Sequence, residues 1–223
     1  GATVAVVLEN VSFTIAACAS VSGSLPRWNM SLESTIMVSH EAGTEEMGEV
    51  AGQLAELDAD ILVGCVYRTA CHNLLHAVSD RRYNPKAVVL TICVAQGDFV
   101  EEVGSAAQYV IGFSMWNYEA DVPSTFSNFS AQSFASAYAG RFLRSPAPHA
   151  ASAFAAGTVL FDAIRRANST NSTDVAAALS ASSGTSAWGR INFDQHGQNA
   201  AKPLVVQTLP HQGEGKPSIV YPV

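Results

Sequence analysis

The chain is short of charge, of long apolar runs and of catalytic signatures, and each shortage narrows what it can be. Charged residues are 14% of the 223 and the formal net charge is −7. No basic patch is present to neutralise phosphates, which excludes a nucleic-acid partner and an anionic membrane surface. The pairs Arg81–Arg82 and Arg165–Arg166 stand at predicted helix ends, where a cation suits the last turn. No apolar run reaches the ~20 residues of a spanning helix. No basic segment precedes an apolar one at the N-terminus, so a secreted form would have had its leader removed.

G-x-S-x-G, H-E-x-x-H and the Walker lysine loop are missing. "GEGK" (213–216) lacks the strand and helix of a phosphate loop, and "GTSAWG" (184–189) has the wrong spacing for a nucleophile elbow. Cys71 and His72 adjoin at a helix start with no third group, and the four cysteines fit no zinc spacing. In "WGRINFDQHGQN" (188–199), Gln195 and His196 interrupt the acids a calcium loop needs, so the stretch reads as a turn between two strands. His40 and Glu41 end a strand, which is a cleft position, but they read more readily as a solvated loop pair. Neither cofactor nor metal is expected.

What is present is a hydrophobic fraction of 48%, enough for a substantial core. From residue 3 to about 112, β-branched runs alternate with helically spaced stretches. The runs are "TVAVVLE" (3–9), "STIMVSH" (34–40), "DILVGCVY" (60–67), "KAVVLTICV" (86–94) and "YVIGFSMW" (109–116). The stretches between them are 13–25, 45–57, 70–78 and 99–108. Continuous apolar strands separated by helices predict an α/β fold with a doubly wound parallel sheet covered on both faces. After Tyr118 the rhythm changes to two consecutive helices broken by "RSPAP" and a third opened by Ser172, Thr173 and Asp174 as candidate N-caps. Two strands, "GRINFD" and "KPLVVQTL", then precede a Pro/Gly-rich tail.

N-x-S/T occurs at Asn10, Asn29, Asn128, Asn168 and Asn171, mostly at predicted element ends. Five such sequons favour glycosylation and an extracellular or secretory location. Four cysteines allow three pairings; Cys65 and Cys71 flank one short loop and are the expected bridge, with Cys18 and Cys93 as buried free thiols.

The order of elements in the second half, "FASAYAGRFLRSPAPHAASAFAAGTVLFDAIRRANSTNSTDVAAAL" followed by "WGRINFDQHGQN" and "LVVQTL", resembles the type I periplasmic-binding-protein family. The flavour is the branched-chain-amino-acid-binding type, also used as the ligand-binding region of receptors. Phe161 to Ala167 and Gly189 to Gly197 match the family's pattern, and the hairpin block is the most specific part of the match. The resemblance implies an α/β ligand-binding lobe over 1–120, the family's second lobe. It implies a helical segment over 121–185 that normally packs on the first lobe, and a β-hairpin and tail over 186–223 returning to the α/β lobe. The chain opens on the second lobe's first strand, so it is expected to be the C-terminal portion of a larger protein or a form completed by another chain.

The resemblance further implies a small, amino-acid-like ligand at the carboxyl ends of the strands. The residues placed there are Phe13, Tyr67 and Arg68, Gln96, and Trp116 and Tyr118. Family members usually set a second-lobe carboxylate on a ligand ammonium; here "TICVAQGD" offers only Asp98. The implied role is non-enzymatic binding or sensing, with closure passed to a membrane receptor or transporter. The competing readings are an α/β hydrolase-like enzyme without a recognisable motif and a ligand-less interaction module. The helix at 150–166 is apolar around most of its circumference, which predicts that the 124–182 helices pack on a first lobe or on a second copy.

Overall fold

The computed structural model describes every residue except 92, 96–98, 120–122, 202–203, 210–217 and 222–223. The described residues divide into two compact units, 1–114 with 206–221, and 115–205.

The first unit begins with β1 (Ala2–Glu9), α1 (Ser12–Cys18), α2 (Val21–Ser24), β2 (Met30–Val38), α3 (Thr44–Leu57), β3 (Ile61–Cys65) and α4 (Arg68–Asp80). It continues through β4 (Ala87–Leu90), α5 (Phe99–Val103) and β5 (Ile111–Ser114). β1 pairs in parallel with β2 and β3, β3 with β4, and β4 with β5. This is the α/β architecture expected from the run of apolar strands. The predicted strand at 86–94 is shorter than expected, because the chain turns into a 3-10 segment at Cys93–Ala95. Likewise, the helical stretch at 13–25 is broken into α1, α2 and a 3-10 turn at Leu25–Trp28 that ends on Asn29 in the left-handed region.

Alternation along β1 sends Ala5 and Val7 to one face and Val4 and Val6 to the other. On the first face they meet Met47, Val50 and Leu54 of α3 and Leu74, Leu75 and Val78 of α4. On the second they meet Cys18 of α1 and Leu25. The β1–β2 register slips between Val4 and Ala5, whose partners are Leu32 and Ser34, so Glu33 is left over as a bulge.

The two faces decide the disulfides, and they overturn the expected Cys65–Cys71 bridge. Cys65 bonds Cys18, and Cys71 bonds Cys93, each with Cα atoms 6.5 Å apart. Cys65 ends β3 in phase with Ile61 and Val63, on the α1 face. Cys71 lies in the first turn of α4, which packs on the opposite face with Cys93. Six positions apart in sequence, the two sulfurs are separated by the sheet.

In the second unit, α6 (Ala131–Phe142) is capped by Ser130, whose hydroxyl accepts from the Ser133 N–H. α7 (Pro148–Ala167) buries Ala151, Ala155, Val159 and Ala163, one residue per turn. α8 (Ser172–Ser180) starts from Asn171, which accepts from the Thr173 N–H, so the N-cap precedes the Ser172–Asp174 trio named from sequence. Arg166 joins the helices: it pairs with Asp162 and donates to the Ala178 carbonyl at 2.9 Å and to Ser182 Oγ at 2.6 Å.

The returning strands differ in partner from the sequence expectation. β6 (Ser183–Ser186) forms a hairpin with β7 (Gly189–Asn192) inside the second unit. β8 (Val205–Thr208) pairs antiparallel with β9 (Ser218–Tyr221), and both join the first unit's sheet in the order β2-β1-β3-β4-β5-β8-β9. After β7, Asp194 Oδ1 accepts from the N–H groups of His196 and Gln198, and Phe193 bridges Asn199. That closes "FDQHGQN" into a turn.

Candidate functional site

Parallel strands bring all their carboxyl ends to one edge, and the loops that leave this edge are the ones free to carry function. Here the loop after β1 is folded back tightly. Thr14 Oγ1 donates to the Glu9 carbonyl at 2.6 Å, and the Asn10 N–H donates to the Val38 carbonyl at 2.9 Å.

Where β2, β1 and β3 end along this edge, the residue that joins them is Glu9. Its side chain is fully buried at the end of an otherwise apolar strand, where an unpartnered carboxylate would be prohibitive. Three donors converge on it from loops distant in sequence. Oε1 receives His40 Nδ1–H at 2.7 Å and the Glu41 N–H at 2.9 Å, and Oε2 receives the Tyr67 N–H at 2.6 Å. Burial alone would raise the carboxyl's pKa; the Tyr67 and Glu41 N–H groups and the His40 ring outweigh it and hold the group below the ordinary glutamate value. Glu41 is in the left-handed region, φ 55°, a conformation disfavoured for this residue type. Local strain therefore accompanies the direction of its N–H. One carboxylate ties the ends of β1, β2 and β3 together.

Aromatic groups stand over this knot. Phe13 is 57% exposed, its ring 6.2 Å from that of half-buried Tyr67. The His40 ring meets Tyr67 edge-on at 6.3 Å, with 59% of its side chain exposed. Exposed rings on a rigid base suit a small ligand with an apolar body.

The structure brings Phe13 and Tyr67 together and treats the other sequence candidates differently. Arg68 opens α4 and pairs with Glu102, which also approaches His72 Nδ1 at 3.4 Å. Gln96 and Asp98 lie outside the described residues. Trp116 and Tyr118 belong to the second unit. Their rings are 6.0 Å apart; Trp116 is 5% exposed and donates its indole N–H to the Ala187 carbonyl at 2.7 Å, packed with Phe134. Sequence reasoning missed Glu9 and underrated His40, which is joined to a buried carboxylate and is no solvated bystander. The available signal was the single acid terminating "TVAVVLE".

Among the described residues no group of three His, Cys, Asp or Glu side chains is placed to hold a metal. No described helix is long and apolar enough to cross a membrane.

The family model described as "Periplasmic binding protein" matches residues 1–214, and the chain belongs to that family. The fold is similar to a leucine-binding protein from Thermotoga maritima, with TM-score 0.77 at 18% identity over 97% of this chain and 59% of that one. It is similar to a branched-chain amino acid ABC-transporter periplasmic ligand-binding protein from Burkholderia xenovorans, with TM-score 0.82 at 13% identity over 98% and 58%. A third likeness is to an ABC-transporter solute-binding protein from R. palustris in complex with benzoate, with TM-score 0.79 at 13% identity over 98% and 57%. The chain thus spans about three fifths of the length of these structures.

Proposed function

We propose that this chain supplies the α/β portion of a non-enzymatic solute-binding protein that holds a small, amino-acid-like molecule at the carboxyl edge of its parallel strands. The observation that carries the reading is the exposed Phe13 ring beside the half-buried Tyr67 ring, both seated on the buried Glu9 knot. Phe13 and Tyr67 are the contacts we assign. Arg68 is engaged by Glu102, and Trp116 is packed in a core with its N–H satisfied, which favours structural roles for both. Membership of the family and the transport proteins among the structural likenesses support partnership with a membrane receptor or transporter outside the cytoplasm. A thermal-shift screen with amino acids and small aromatic and aliphatic acids tests the reading. A ligand at 100 times its dissociation constant adds about 2.7 kcal/mol, and no shift across the screen defeats it.

Two further parts of the reading have their own supports. All five sequon asparagines, Asn10, Asn29, Asn128, Asn168 and Asn171, are exposed, which glycan attachment requires. Glycosidase treatment of protein from its native host is expected to lower the apparent mass. In the second unit, Phe161 is 76% and Leu143 91% exposed, with Phe142 and Leu160 also open. We assign this surface to a first lobe supplied separately or to a second copy. Light scattering of the chain by itself checks this, and a clean monomer that gains no mass on adding a first lobe counts against it.

A further inference from the structure

Resting on the reading of this edge as a small-molecule site, we propose that His40 is a specificity-determining contact there. Its Nδ1–H is committed to the buried Glu9 carboxylate, and its Nε2 accepts a hydrogen bond from the ammonium of a small amine lying against Phe13 and Tyr67.

The tautomer follows from the partner. An ionised carboxylate can only accept, and Glu9 Oε1 lies 2.7 Å from His40 Nδ1, so the proton of a neutral ring sits on Nδ1. Nε2 is then a bare acceptor on the other edge of a side chain that is 59% exposed. Glu9 fixes the ring itself, since the same carboxylate oxygen also takes the Glu41 N–H and its other oxygen takes the Tyr67 N–H. Glu9 is thus a positioning residue: it sets where His40 stands relative to the Tyr67 ring, 6.3 Å away and edge-on.

The charge of the surroundings selects a cation. Among the described residues, the carboxylates at the His40 loop are Glu9 on β1, Glu41 beside it in the loop, and Glu46 on α3, whose carboxylate accepts the Ser39 N–H at 2.8 Å. Arg68, at the start of α4 beside Tyr67, is engaged by Glu102. A ligand carboxylate placed here would face carboxylates, whereas an ammonium gains their field, the Nε2 lone pair and the faces of two aromatic rings.

Nitrogen NMR of the whole chain with labelled histidine tests this in two arms. Without ligand, under mildly alkaline conditions, His40 is expected to show a bare Nε2 and a protonated Nδ1, with the preference lost in Glu9→Gln. The opposite tautomer in the wild type overturns the inference. In the second arm, L-leucine, isoamylamine and 4-methylpentanoate are added at millimolar concentration. Both amines are expected to shift Nε2 and the acid to leave it in place. His40→Phe, which keeps a ring at an exposed position, is expected to weaken the amines about tenfold and the acid not at all. Amines that leave the His40 nitrogens unmoved, or an acid that moves them equally, overturn it. The two readings separate cleanly. A molecule that stabilises the chain in the thermal screen without touching His40 sinks this inference and leaves the binding site standing, whereas an empty screen removes the site itself.

Discussion

The two ends of the parallel sheet each place one acidic side chain at a strand terminus, and the two are held in opposite ways. At the carboxyl end, Glu9 is sealed from water and takes its donors from two backbone N–H groups and a histidine. At the amino end, Asp60 is partly open and shares a reciprocal set of bonds with Thr3, whose N–H donates to it at 2.9 Å and whose hydroxyl accepts the Asp60 N–H at 3.0 Å. It also pairs with the exposed Lys86 at 2.6 Å. The amino end thus uses interactions that water can replace and salt can screen. The carboxyl end uses interactions with no substitute. An edge that must present Phe13, His40 and Tyr67 in one arrangement benefits from the second kind.

Both disulfides reinforce the same end, one on each side of the loop that carries Tyr67, so the largest expected effects are theirs. Replacing Cys18 and Cys65 together by serine opens a link of sequence separation 47, and replacing Cys71 and Cys93 opens one of 22. Chain-entropy costs of about 4 and 3.4 kcal/mol are expected, readable as urea midpoints. Equal losses, or the reverse order, would mean that strain or local packing outweighs loop length.

Next in size is the contrast of the two acids. Glu9→Gln sets an amide NH2 against donors that need an acceptor and is expected to cost about 2–3 kcal/mol. Asp60→Asn, at a site open to water, is expected to move the midpoint clearly less. A comparable loss at both positions would erase the distinction drawn between the two ends.

The pH dependence sharpens it. Glu9's carboxyl is held below its ordinary value of about 4.5, so its contribution is present above that pH and disappears as the pH falls through the folded value. The Asp60 carboxyl is likewise lowered, by the Lys86 ammonium first and the Thr3 N–H next, so it fails in acid too. Lys86 is raised by the same pair, so its share is present below its ordinary value and is lost as the pH climbs through the folded one. Denaturation of wild type, Glu9→Gln and Lys86→Ala across pH is expected to show the Glu9 difference vanishing only in acid, and the Lys86 difference vanishing both in acid, where Asp60 takes up a proton, and in strong alkali, and shrinking with salt.

The smallest expected effect concerns Tyr83, whose hydroxyl donates to the Ala59 carbonyl at 2.7 Å near the amino end. Tyr83→Phe removes one hydrogen bond and is expected to cost about 1 kcal/mol. A loss as large as that of Glu9→Gln would show the amino end to be as brittle as the other.

Much of this architecture was legible because strands buried on both faces write themselves as apolar runs, as "DILVGCVY" does. The site was legible only where a residue announces itself by position, as Phe13 and Tyr67 do just past strand ends. Glu9 was not, because its meaning lies in donors 31 and 58 positions away that no local pattern reveals. The cysteine pairing failed for a related reason: closeness in sequence said nothing of which face each sulfur took. β6 and β9 were missed for another. "SGTS" and "SIVY" are too short to show a period, and pairing across the sheet made them strands.

The leftover residue in β2 has a wider reach than its size suggests. Met30 packs with the Val4–Val6 cluster, whereas Ile36 and Val38 pack with Ala5 and Val7, on the opposite side of the sheet. All three carry even numbers, and strict alternation would send them the same way. Glu33 works like an inserted letter that changes the reading frame: upstream of it even positions serve one core, downstream they serve the other. Deleting Glu33 itself would keep both halves of the strand facing as they do, since Leu32 and Ser34 already pair with neighbouring β1 residues; a one-residue deletion elsewhere in the strand is the frameshift in three dimensions, turning part of it inside out.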